Sequence, residues 1–236
     1  SAGLPEEPTQ WTWSDEETAG LEAYMTSATF TDRYSIMAPP GAVFSYSTLG
    51  MDLAGLVIER ASGRAFADFM QSEVFDALDI VGATFDAGRV ESEGDYASGT
   101  RDAEAVTPFW PAPEWQAPGG LAFASVLDLA QLARFLMDGD ESVLSAELHR
   151  AMVTPVIDTH LYLDRFEVGL GVWVIRGYPR TLGTRWSADQ VLDQPVTSLG
   201  HAGLMMGCAA EVIVVPERRF AFIVASNDER IFYPQS

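Results

Sequence analysis

Three features of this chain of 236 residues predict an α+β fold. Apolar residues recur at helical spacing in the first two thirds, from residue 48 to about 152. Short β-branched runs appear only after that. The last two of these, Glu211–Val215 and Phe220–Ala225, are joined by Pro216-Glu217-Arg218-Arg219, the spacing of an antiparallel hairpin. Helices first and antiparallel strands last indicate helices packed on an antiparallel sheet rather than alternating βαβ units.

The elements follow in order. Residues 1–38 are irregular and acidic, with Trp11, Trp13 and a weak helical stretch around Asp15–Ser27. Pro39-Pro40-Gly41 breaks any helix and leads into Val43-Phe44-Ser45-Tyr46. A helix follows, with Leu49, Leu53, Leu56 and Val57 on one face, and Gly63 suits its left-handed C-terminal position. A second helix carries Phe66, Phe69, Met70 and Val74 inward. Residues 86–118 read as a long surface excursion that ends at Pro118-Gly119-Gly120. Ser125 and Asp128 make a capping-box start, Leu129, Leu132, Ala133 and Leu136 a buried face, and Gly139 a stop. Ser145 caps a short helix through about Met152, and Val168–Ile175 is expected to form a strand.

Composition narrows the function. A net charge of −20 argues against a nucleic-acid partner, since phosphate binding draws on clustered Lys and Arg. No apolar run reaches the length of a membrane-spanning helix. The single cysteine, Cys208, excludes an intrachain disulfide framework and is expected to be a buried small residue. His149 and His160 are expected at the surface, and Gly119 and Gly120 to serve backbone conformation. There is no GxGxxG, P-loop or HExxH.

Several motifs in order resemble one family. Pro39-Pro40-Gly41 through Phe44-Ser45-Tyr46-Ser47-Thr48-Leu49-Gly50 looks like the Tyr-x-Asn segment of the serine β-lactamase and D-alanyl-D-alanine peptidase superfamily. Gly55 through Gly63, Pro118-Gly119-Gly120-Leu121 with Ser125–Leu129, and Val168-Gly-Leu-Gly-Val-Trp173 continue the likeness. Gly200-His201-Ala202-Gly203 resembles the His-x-Gly form of the family's Lys-Thr-Gly strand motif. Ser1-Ala2-Gly3-Leu4-Pro5 resembles the end of its Leu-Thr-His-Thr-Ser-Gly-Leu-Pro segment. Class C-like enzymes, His-x-Gly peptidases and related esterases are the nearest variants.

The resemblance implies a β-lactamase/transpeptidase-like fold: an antiparallel sheet flanked by helices beside a mostly helical lobe. Residues 1–236 would form a single such domain, lacking its N-terminal part. Residues 40–140 would supply much of the helical lobe and 165–236 the sheet-forming part. It also implies amide or ester hydrolysis through an acyl-enzyme, with no metal and no organic cofactor. A serine hydroxyl is too weak a nucleophile at neutral pH without a base. By resemblance Tyr46 is that base or relay, and His201 an anion and electrostatic contact. The backbone N–H of Leu204 would be half of an oxyanion hole. Thr48, Ala202, Gly203 and Trp115 would contact substrate, with Trp110 a further candidate for lining the cleft. Substrates would be a β-lactam, a D-amino-acid peptide or an ester. Export to a periplasmic or extracellular location rests on the resemblance alone.

Three departures stand against it. Thr48 replaces the expected Asn, Ala202 removes a hydroxyl, and all 14 basic residues are arginine, so no Ser-x-x-Lys exists in these residues. Asn227 is the only asparagine, and joint loss of Lys and Asn points to a GC-rich genome rather than to selection at one site. Three explanations remain: a nucleophile segment that precedes Ser1, a non-catalytic relative kept as a binding module, or Ser1 as an N-terminal nucleophile. On the first, these 236 residues alone are not expected to turn over substrate and should expose an apolar groove where the nucleophile helix packs.

Overall fold

A computed structural model describes residues 22, 23, 26, 36–101, 104–107, 116–159, 165–177, 196–205, 207–228 and 230. Trp11, Trp13, Trp110, Trp115, His160 and most of Asp15–Ser27 lie outside the described residues.

Helix α1 (Thr48–Ser62) begins where Ser47, extended at φ −153, accepts the Gly50 N–H on its hydroxyl. It ends where Gly63, at φ 70, donates its N–H to Glu59. Its buried stripe is Leu49, Asp52 and Gly55, with Leu53 and Leu56 half-buried and Val57 66% exposed. The expected face is therefore rotated. Close approach sets it: a Cβ on Gly119 would lie 2.5 Å from Thr48 Cγ2 and 2.8 Å from Asp52 Oδ1. Thr48 and Asp52 meet Gly119 there, while Val57 turns outward.

Helix α2 (Phe66–Met70) runs into a π turn over Gln71–Phe75. Phe66 and Phe75 are buried, and both rings pack on Phe85. Residues 86–118 are not a plain excursion. They hold helix α3 (Ala87–Glu93), capped by Asp86 and stopped by Gly94 at φ 70. The antiparallel hairpin of β1 (Gly99–Arg101) and β2 (Glu104–Val106) follows. The helix offers one large apolar residue, Val90, and so no apolar periodicity by which to find it.

After the short α4 (Ala117–Gly120) comes α5 (Val126–Asp138), with both halves of the Ser125–Asp128 capping box formed. Helix α6 (Ala146–Val153) is capped by Ser145. The six-stranded antiparallel sheet runs in sequence order: β3 (Ile157–Asp158), β4 (Arg165–Val168), β5 (Trp173–Gly177), β6 (Val196–Met205), β7 (Cys208–Val215) and β8 (Phe220–Ser226). The strand expected at Val168–Ile175 is split. Gly169 donates its N–H to Val172 across a turn with Gly171 at φ 77, so Gly-Leu-Gly reverses the chain between β4 and β5. The β7–β8 hairpin is as expected, with Val215 opposite Phe220 and Arg219 left-handed in the connection.

Helix α5 organises the core. Its Ala133 and Leu136 pack on Val172, Val174, Leu199, Val212 and Val214 of the sheet side. On its other side Phe135 joins Phe75, Leu78, Ile80 and Ala83. One helix thus ties the residue 40–140 part to the sheet. Asp128 fixes its start by accepting the Gly82 N–H at 3.0 Å. Contrary to expectation, His149 is half-buried with its ring edge-on to Phe135, because α6 closes over the end of α5. Cys208 is half-buried rather than fully enclosed, since it opens β7 at the end of the tight β6–β7 connection. Among the described residues no helix is long and apolar enough to cross a membrane.

Candidate active site

The site grows from two backbone constraints. Tyr46 immediately precedes the N-cap Ser47, which places it at the amino end of α1, where unpaired N–H groups and the helix dipole favour negative charge. It is 43% exposed. His201 lies midway along β6, after Gly200. A Cβ on Gly200 would run into the Val212 carbonyl, so the β6–β7 pairing requires glycine there.

These constraints bring the two rings together across the gap between helix and sheet, with centroids 6.2 Å apart. Trp173 of β5 stands opposite Gly200 in register, and its indole lies 4.4 Å from the imidazole. Phe166 of β4 packs edge-on against Trp173 at 5.5 Å. Phe166, Trp173, His201 and Tyr46 form an aromatic row from the sheet to the start of α1.

The imidazole's state follows from its neighbours. Burial lowers the His201 pKa below the usual 6.5, with the bond to the Ala202 carbonyl opposing it. At neutral pH the ring is neutral. Nδ1 lies 2.6 Å from the Ala202 carbonyl oxygen, which can only accept, so Nδ1 carries the proton. Nε2 is then an acceptor. A neutral ring can hydrogen-bond at this site but brings no positive charge to Tyr46 at neutral pH.

The other sequence-derived residues are placed as follows. Thr48 is the first residue of α1 and turns its methyl towards Gly119. Ala202 and Gly203 follow His201 on β6, in register with Glu211 and Ala210 of β7. Leu204 is three residues beyond His201, about 10 Å along an extended strand, and 43% exposed. Trp115 lies outside the described residues. Gly120, at φ 144, serves backbone conformation as expected, whereas Gly119 is required by close approach to α1. Met51 and Leu170, 46% and 60% exposed, add apolar surface next to Gly171, whose Cβ position is 3.6 Å from Met51 Cε. Among the described residues no group of three His, Cys, Asp or Glu is placed to hold a metal ion.

Sequence reasoning missed three contributors. Ser47 is a helix cap, signalled by its place before the apolar period. Asp52 is fully buried on the α1 face that meets Gly119, where periodicity marked only apolar residues. Trp173 was legible as a strand residue, but its partnership with His201 depends on the β5–β6 register.

Comparison with known proteins places this geometry. A D-aminopeptidase of Gluconobacter oxydans (strain 621H) is 25% identical over 195 residues, covering 80% of this chain and 32% of that protein. The octameric penicillin-binding protein homologue from Pyrococcus abyssi superposes with a TM-score of 0.69 at 23% identity, over 92% of this chain and 45% of its own. SurE, solved with D-Leu, gives 0.65 at 23% identity, over 97% and 48%. The chain therefore spans about a third of the curated relative and less than half of either solved structure. The two structures share its fold, an antiparallel sheet with flanking helices. The β-lactamase family model matches residues 1–232, and with Tyr46 and His201 facing one another across the helix–sheet gap, this chain belongs to the β-lactamase family.

Proposed function

We propose that the protein is a serine hydrolase cleaving an amide or ester through an acyl-enzyme, with the nucleophile supplied by residues outside these 236. The observation that carries this is the pairing of Tyr46, at the amino end of α1, with the neutral acceptor His201 on β6. A phenol standing beside a neutral hydrogen-bond acceptor suits a proton relay of the kind acyl transfer from a serine needs. Tyr46 carries the proton between nucleophile and leaving group, and His201 orients the phenol. The Leu204 N–H is an oxyanion donor, and Thr48, Ala202, Gly203 and Trp115 line the substrate site. The chain has no lysine, which supports a serine-activating amine, and the serine with it, outside these residues. Exposed Met51, Leu170 and Leu204 match an apolar surface left for such a segment. The D-aminopeptidase relative makes D-amino-acid peptides and amides the first substrates to try.

A second reading, a non-catalytic binding module, is favoured by Thr48 and Ala202, which remove polar contacts to substrate. The intact mass of the protein made from its own gene, with and without a fluorophosphonate or β-lactam, separates the two. A mass well above 25.7 kDa that gains an adduct supports the hydrolase. A mass near 25.7 kDa with no adduct refutes it in favour of the binding module. In the intact enzyme Tyr46→Phe is expected to lower the acylation rate by roughly 10²-fold or more; near-normal turnover would sink the relay role.

A further inference from the structure

We propose that Trp173 is a positioning residue of this site. By stacking on the imidazole while the Ala202 carbonyl holds Nδ1–H, it locks His201 in the tautomer that presents Nε2 as an acceptor. The inference rests on the site described under the proposed function and adds a residue and a tautomer to it.

The geometry is specific. In register Trp173 faces Gly200, not His201. The indole nevertheless meets the imidazole of the following residue at 4.4 Å, with planes inclined by 34°. Phe166 backs the indole edge-on, and Phe166 lies opposite Ile175 on the strand that carries Trp173, so the clamp is anchored by two strands. An imidazole has two degrees of freedom that matter here: rotation about its Cβ–Cγ bond and the choice of protonated nitrogen. The carbonyl at 2.6 Å fixes the second only while the ring keeps its rotation. Trp173 supplies that restraint. Two titratable groups flank the ring. Tyr46 faces it from the segment before α1. Glu211 is buried on β7 opposite Ala202. Neither replaces the Ala202 carbonyl at Nδ1.

The test is long-range ¹H–¹⁵N NMR of the imidazoles in the intact protein at pH 8, with the His201 signals identified by their loss in His201→Gln. Wild type is expected to show the Nδ1–H pattern. Trp173→Phe, which keeps an aromatic face, is expected to retain it, and Trp173→Leu to give a mixture of tautomers. If substrate turnover is found, Trp173→Leu should lower kcat by roughly tenfold or more and move KM by less than about twofold, with Trp173→Phe largely rescued. An Nε2–H or cationic His201 in wild type overturns the proposal whatever the variants do. So does an unchanged pattern in a Trp173→Leu protein with native circular dichroism. The NMR readout needs no activity, so a protein that hydrolyses nothing refutes the functional reading and leaves this one to be decided on its own signals.

Discussion

Gly119→Ala isolates the contact that seats α4 on α1. Gly119 has no left-handed φ, so the substitution tests space and nothing else. The new methyl would lie 2.5 Å from Thr48 Cγ2 and 2.8 Å from Asp52 Oδ1, both well inside van der Waals contact. Thr48 is β-branched on a helix and cannot swing freely, and Asp52 is fully buried. The strain therefore falls on the backbone, which must separate α4 from α1. Overpacking of this kind costs about 1–3 kcal/mol, offset by at most ~1 kcal/mol from replacing a helical glycine. At a 2.5 Å approach the cost falls in the upper part of that range, about 2–3 kcal/mol, so the net is about 1–2 kcal/mol. For a chain of this size that lowers Tm by roughly 2–8 °C, at ~2–4 °C per kcal/mol. Differential scanning calorimetry measures it, with Gly63→Ala as the control. Gly63 has φ 70 and open space around its Cβ position, so it carries backbone strain with no clash. The distinguishing result is Gly119→Ala combined with Thr48→Ser. Removing the opposing methyl should return part of the loss, and should do nothing for Gly63→Ala. A Gly119→Ala protein that melts with wild type, or that Thr48→Ser does not relieve, refutes the close-approach account of α1.

Three further outcomes are expected. Asp128→Ala removes a carboxylate that accepts from Gly82 N–H and from both the N–H and hydroxyl of Ser125, and leaves Gly82 unpaired. Urea unfolding should show a loss of about 3 kcal/mol. Burial opposes ionisation of Asp128, but the hydrogen bonds from Ser125 and Gly82 outweigh it and hold the pKa below 3.8. Its stabilisation is therefore complete above the unfolded-state value and fades as pH falls through the lower folded-state one; Asp128→Asn should flatten the acid limb of the Tm–pH curve there, and an unchanged limb would count against the bonds. Gly200→Ala drives a methyl into the Val212 carbonyl, so a loss of about 3 kcal/mol by urea titration is expected, at the top of the overpacking range. His149→Phe should melt at or above the wild-type temperature, because His149 Nε2 has no hydrogen-bond partner to lose and its ring already lies on Phe135.

Legibility in the sequence followed the source of each element's stability. Helix α5 was readable from Ser125 to Gly139, because its cap, its stripe and its stop are all local. The β7–β8 hairpin was readable for the same reason. Helix α1 was found, but its buried face was misread. The buried stripe is Leu49, Asp52 and Gly55, and Asp52 is drawn into it where Gly119 comes close, a tertiary fact that apolar spacing cannot carry. The strand expected at Val168–Ile175 failed where Gly169 and Gly171 allow a turn inside an apolar run. In the site, Tyr46 and His201 were identified through motif resemblance. Their approach to 6.2 Å and the insertion of Trp173 depend on the packing of α1 and on strand register.

A neutral His201 changes what the site demands of its surroundings. An ordinary phenol has a pKa near 10 and this imidazole one below 6.5. Full proton transfer between such groups is uphill by at least ~3.5 pKa units, roughly 5 kcal/mol. His201 can therefore accept a hydrogen bond from a phenol but cannot hold a phenolate in the resting state. For Tyr46 to act as a base, a cation has to stand near it, and the lysine-free chain leaves arginine as its only permanent cation. On the proposed function that cation comes from a lysine in the nucleophile segment or from the ammonium of an amino-acid substrate. The two are separable. With a lysine in place, esters lacking an amine acylate as fast as amino-acid amides of equal reactivity; with a substrate ammonium, they lag by the fold that the missing charge costs.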